Sequence, residues 1–140
     1  MSRVFWDTNL FIYLFEDSTQ FGPVVSDLRG RMLRRGDQLV TSMLTLGEIL
    51  VKPLKENKPA VAEEYQRIIP QAATVLPFDY KACTLYARLR CDKGIRAPDA
   101  IQLACAGSFG VDLFVTNDTR LQNEQIPGIQ FVVSLARVPI

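Results

Sequence analysis

Short runs of aromatic and β-branched residues alternate with helix-period apolar stripes along this chain, and that alternation leaves few folds open. The runs are Arg3-Val4-Phe5-Trp6, Leu39-Val40-Thr41, Thr74-Val75-Leu76, Leu113-Phe114-Val115-Thr116 and Gln130-Phe131-Val132-Val133. Between them, Leu10 to Phe15 reads as a short buried helix, and Phe21, Val24, Val25, Leu28 and Met32 share a helical face that Gly36 stops. A helix from about Leu44 to Leu50 is limited by Pro53. Asn57-Lys58-Pro59 starts another, ended by Pro70. Asp79 caps a helix carrying Ala82, Leu85, Tyr86 and Leu89, with Gly94 as its stop. Pro98 opens a helix that is apolar from Ala100 to Ala106 except for Gln102. Such a pattern predicts an α/β protein: a central parallel sheet of about five strands between two helical layers. At 140 residues, the expectation is a single domain over residues 1–140.

Composition narrows the chemistry. There is no His among the 140 residues, which excludes Ser-His-Asp and Cys-His nucleophiles, imidazole acid–base work and HExxH zinc sites. Cys83, Cys91 and Cys105 are odd in number and form no C-x-x-C pair, so they read as small buried hydrophobes in a reducing compartment. No apolar stretch approaches the roughly 20 residues that a membrane span needs, and Met1-Ser2-Arg3 leads into no long apolar signal core. The expectation is a soluble cytoplasmic protein.

In open parallel sheets the ligand crevice lies at the carboxyl ends of the strands. Asp7 follows the first strand and Asp118 the fourth, although Asp at these places also serves as an ordinary cap or turn residue. Asp99 is the only charged residue between Arg96 and Asp112, and it falls in the first turn of its helix, where the helix dipole favours an acid. Glu48 projects away from Leu46, Ile49 and Leu50, so pattern alone gives a solvated side chain. Carboxylates gathered without His suit Mg²⁺ or Mn²⁺, and metal-assisted phosphodiester hydrolysis is the chemistry such a crevice favours.

These residues together resemble PIN-domain ribonucleases, most closely the VapC-type toxins of prokaryotic toxin–antitoxin pairs. The resemblance runs in order through Asp7-Thr8-Asn9, Thr45-Leu46-Gly47-Glu48-Ile49, Arg96-Ala97-Pro98-Asp99-Ala100-Ile101-Gln102-Leu103-Ala104 and Val115-Thr116-Asn117-Asp118. It implies an α/β/α sandwich in which Asp7, Glu48, Asp99 and Asp118 are both catalytic and metal-binding, holding one or two Mg²⁺ or Mn²⁺ ions. Thr116 and Asn117 match supporting positions, and Asn9 matches a partner behind the acids. The implied reaction is endonucleolytic cleavage of single-stranded RNA by a metal-activated water, leaving a 5′-phosphate and a 3′-hydroxyl. The implied partners are the RNA substrate, a small antitoxin whose tail enters the acidic site, and a second copy in a homodimer. Residues from Gln122 to Ile140 match no family motif with a role.

Arg96, three residues before Asp99, is the candidate for substrate binding: it contacts the scissile phosphate or pairs with a site carboxylate. Arg29, Arg31, Arg34 and Arg35, or Lys52, Lys55 and Lys58, are placed to follow RNA phosphates, but each run also fits a solvated helix face. Trp6 lies in a strand run and reads as core rather than as a stacking platform. Two rivals remain at this level. A haloacid-dehalogenase-like phosphotransferase also places Asp after its first strand, but it wants a second Asp where this chain has Asn9. A non-catalytic PIN-fold RNA-binding or scaffolding module is expected to lose some of the four acids, all of which are present here.

Overall fold

A computed structural model describes residues 1–17 and 19–140. The chain runs β1 (Arg3–Trp6), α1 (Thr8–Glu16), α2 (Phe21–Arg35), β2 (Gln38–Ser42), α3 (Met43–Lys55), α4 (Pro59–Ala72), β3 (Thr74–Leu76), α5 (Tyr80–Lys93), α6 (Ala97–Phe109), β4 (Val111–Val115) and β5 (Ile129–Val133), followed by a short 3₁₀ turn at Leu135–Arg137. All five strands are parallel, in the order β3-β2-β1-β4-β5. The first strand is therefore central, and Val4, Phe5 and Trp6 are fully buried because helices cover both faces.

Alternation along the strands divides the core into two. Phe5, Val40, Phe114 and Val132 meet Leu89 of α5 and Leu103 and Ala104 of α6 on one face. Val4, Trp6, Leu39, Leu113 and Val115 meet Leu10, Val25, Leu28, Met32 and Ile69 of the helices on the other. Phe5 and Phe114 stack at 4.8 Å between neighbouring strands, and Trp6 packs against Phe11 at 5.3 Å. Trp6 is core, as its place in the strand run predicted. The result is the three-layer α/β/α architecture expected from the alternation.

The glycine stops hold. Gly36 and Gly94 end α2 and α5 in the left-handed conformation, with φ of 75° and 63°, which costs glycine nothing. Asp79 caps α5 by accepting the Ala82 N–H. The prolines depart from expectation. Pro53 lies inside α3, which continues to Lys55, and Pro70 lies inside α4, which continues to Ala72. A proline removes one i→i−4 hydrogen bond without removing those on either side. At Pro53 the ring is buried, and its carbonyl accepts the Lys58 N–H at 2.8 Å as the chain leaves the helix. Of the cysteines only Cys105 is the buried hydrophobe expected; Cys83 and Cys91 are exposed on α5. Burial pushes the Cys105 thiol up to about 11, which keeps it an inert thiol at neutral pH. Among the described residues no helix is long and apolar enough to cross a membrane.

Candidate active site

The site grows from the pairing of β1 with β4. Their register sets Trp6 beside Val115, so the residues that follow, Asp7 and Thr116, leave the sheet side by side at its carboxyl edge. The Asp7 N–H donates to the Val115 carbonyl at 3.1 Å. One Asp7 oxygen accepts the Thr8 N–H at 2.8 Å and caps α1; the other accepts the Thr116 hydroxyl at 2.8 Å. Thr116 in turn accepts the Asp118 N–H at 3.0 Å. Asp7 thus caps α1 and at the same time stands at the carboxyl edge of the sheet. This capping also starts α1 at Thr8, two residues before the apolar run that announced it.

Beneath the acids lies a knot of buried polar groups. Ser42 donates to Oε1 of Gln102, and Nε2 of Gln102 donates to the hydroxyls of Thr45 at 2.7 Å and Thr8 at 3.1 Å. The Thr8 hydroxyl then donates to Oε1 of Glu48 at 2.6 Å. Every polar atom of the Gln102 amide is used, as burial requires. The knot joins α1, α3 and α6 and fixes Glu48 toward the cleft, where apolar patterning had left it facing solvent. Gln102→Leu is expected to strip three hydroxyls of partners in the core. At ~1–3 kcal/mol for a lost buried partner, the urea midpoint should fall clearly and Glu48 should lose its orientation. A midpoint equal to that of wild type would count against the knot.

Asp7, Glu48, Asp99 and Asp118 all line one cleft of about 450 Å³, together with Asn9, Arg96, Gln102 and Arg120. Asp99 arrives from the first turn of α6. Of the supporting positions, Thr116 bonds directly to Asp7, and Asn9 is exposed at the cleft wall. The Asn117 side-chain carbonyl instead accepts the Leu135 N–H at 3.3 Å, tying the 3₁₀ turn to the end of β4. Arg96 pairs with a site carboxylate, its Nε 3.6 Å from Asp99.

The electrostatics are uneven. Burial holds the Asp7 carboxyl above the ordinary range, against the pull of its Thr116 and Thr8 hydrogen bonds, and the charges of Asp99 and Glu48 push it further up. Asp118 is held below its usual range, chiefly by its hydrogen bond to the Arg120 side chain. Arg120 grips both Asp118 oxygens and lies 3.8 Å from Asp99. Among the described residues no three acids or cysteines are drawn tightly enough together to grip one ion. The donor set is nevertheless all carboxylate, the kind that Mg²⁺ and Mn²⁺ take, and Asp7 is half-buried beside like charges that a dication would offset.

Sequence reading missed Thr8, Thr45, Gln102 and Arg120. Gln102 carried a signal, as the lone polar residue of an apolar helix. Arg120 carried none, since an exposed Arg two residues beyond an Asp is commonplace.

The PIN domain family matches residues 4–124. The chain belongs to the PIN domain family. Among solved structures, VapBC2 from Rickettsia felis bound to a DNA fragment from its promoter is similar, with a TM-score of 0.75, 18% identity, and 94% of this chain and 98% of that one covered. DNA-bound VapBC from Salmonella typhimurium gives 0.71 at 24% identity, covering 96% and 99%. VapBC-5 from Mycobacterium tuberculosis, described as a member of a family of toxin-antitoxin systems, gives 0.61 at 21% identity, again covering 96% and 99%. At such identities the likeness is one of fold. No curated protein sequence matches the chain. Within this PIN domain, the four acids sit where β1, α3, α6 and the end of β4 converge.

Proposed function

We propose that this PIN domain is a divalent-metal-dependent endoribonuclease and the toxin of a toxin–antitoxin pair. The observation that carries the proposal is the meeting of Asp7, Glu48, Asp99 and Asp118, from four separate segments, in one cleft at the carboxyl edge of the sheet. Among the described residues that line the cleft there is no Lys or thiol, and the sequence has no His, so acid–base work there falls to the carboxylates, which suit the activation of a water.

Asp7, Glu48, Asp99 and Asp118 would hold Mg²⁺ or Mn²⁺ here. When bound, the cation supplies Lewis acidity toward the phosphate and its attacking water. The rest falls to the chain. Thr116 and the Thr8 N–H orient Asp7, and the Gln102 knot orients Glu48 through Thr8. Arg96, two-thirds exposed at the rim, is placed to draw in the RNA phosphate. The likeness to VapBC complexes supports an antitoxin partner; that this partner silences the cleft, that the toxin forms a homodimer and that it acts in the cytoplasm are parts of the same proposal.

The test is cleavage of a panel of structured RNAs by the partner-free protein. Mg²⁺ or Mn²⁺ is expected to support cleavage, and EDTA or Asp99→Asn to abolish it. Cleavage that survives both unchanged would remove the metal-dependent mechanism.

A further inference from the structure

We propose that Arg120 is an internal counter-ion of the acidic cleft: its guanidinium occupies Asp118 and Asp99 until a divalent cation takes them, and departs as the cation binds. This inference rests on the metal-dependent reading above and adds a competitor for the same oxygens.

The contacts are specific. The Arg120 backbone N–H and Nε reach one Asp118 oxygen at 3.0 and 2.9 Å, and Nη2 reaches the other. The same Nη2 lies 3.8 Å from Asp99. A guanidinium fork on a carboxylate uses both oxygens at once, so Asp118 cannot present that face to a cation while Arg120 remains. Arg96 is no such competitor, since its ion pair is a single contact of 3.6 Å to Asp99.

Charge argues the same way. The cleft lines up four acids against Arg96 and Arg120, leaving two formal negative charges, and without Arg120 it would carry three. Arg120 therefore lowers the pull on a cation while keeping the metal-free acids from repelling one another. Its side chain is 53% exposed while that of Asp118 is 17% exposed, so it enters from the solvent side and can retract without opening the core. Solvent around the guanidinium screens the pair on its outer side, where a dication competes for the same oxygens.

Competition is reciprocal, so removing the guanidinium must tighten the cation. The experiment titrates Mn²⁺ by calorimetry into the EDTA-stripped 140-residue protein, comparing wild type with Arg120→Gln, Arg120→Lys and Arg67→Gln. Arg67 also pairs with a nearby acid, Glu64, but on α4, and reports the effect of lost charge alone. Arg120→Gln is expected to bind Mn²⁺ about fivefold or more tighter than wild type. Arg120→Lys should fall between, keeping the charge without the fork, and Arg67→Gln should stay near wild type. Equal or weaker binding by Arg120→Gln overturns the competition and leaves the metal-dependent reading standing. No Mn²⁺ binding by any of the four proteins overturns both. A second measurement needs no altered fold: in wild type, the Arg120 Nε–H resonance, assigned by its loss in Arg120→Lys, should move on saturation with Mg²⁺. A resonance that stays in place while Mg²⁺ binds would equally overturn the proposal.

Discussion

Asp7→Asn is expected to cut RNA cleavage by about 100-fold or more while raising the melting temperature of the metal-free protein at neutral pH. Both effects come from one carboxylate. Asp7 is the acid nearest the sheet, held by Thr116 and the Thr8 N–H, and its burial favours the neutral form. Its pKa in the folded protein lies above the ordinary carboxylate value. The stability linked to this group is therefore fully present below the unfolded pKa and is lost as pH rises through the folded one. At neutral pH the ionised carboxylate opposes folding, and the isosteric amide does not. The asparagine still offers a carbonyl to the Thr8 N–H. In EDTA, the variant should melt higher than wild type, by roughly 2–4 °C for each kcal/mol relieved. That gap should close as the pH is lowered through the folded pKa toward the ordinary carboxylate value. Adding Mg²⁺ should also narrow it, since the cation stabilises wild type by binding the folded state. A variant that melts lower than wild type at neutral pH would show that the Asp7 hydrogen bonds outweigh its burial.

The second large effect lies at the other end of the molecule. Gly128→Ala is expected to lose about 2–5 kcal/mol, a large part of the roughly 5–15 kcal/mol that holds a domain folded. Gly128 has φ of +82°, and a methyl there would lie 1.9 Å from the Gly107 carbonyl oxygen. A Cβ on Gly107 would in turn meet the Pro127 carbonyl oxygen at 2.4 Å. The last turn of α6 thus touches the backbone entering β5 with no room for a side chain on either. Gly94→Ala is the matched control. Its φ is +63° but nothing lies within 4 Å of the added methyl, so only the conformational cost of about 1–2 kcal/mol applies. Urea midpoints of the two variants should differ by the steric part alone. Equal losses would mean that the α6–β5 contact relaxes freely.

How much of this could be read beforehand depended on whether the signal was local. The layer order followed from run lengths and stripes, and Gly36 and Gly94 announced their helix ends, because strand alternation, helical period and the left-handed stop are properties of neighbouring residues. Pro53 and Pro70 misled for the opposite reason. A proline's cost to its helix is local, but packing of the rest of the helix is not, and there the distant contribution won. Among the acids, Asp7, Asp99 and Asp118 stood out by position. Glu48 did not, because its orientation comes from Thr8 on another helix, 40 residues away. Arg120 illustrates the same limit: it is visible only when β4 and α6 are brought together.

The Thr116–Asp7 hydrogen bond joins residues 109 positions apart, and β1 gains its β4 neighbour only when that distant segment arrives. A chain emerging from the ribosome as far as Asp99 already carries three of the four acids, yet one side of its central strand is still unpaired. Thr116 and Asp118 follow within seconds at typical synthesis rates of about 5–20 residues per second. Until then Asp7 lacks the hydroxyl that aims it, and the cleft has only part of its wall. The cleft is thus completed by one of the last strands to be made, although it is built on the first.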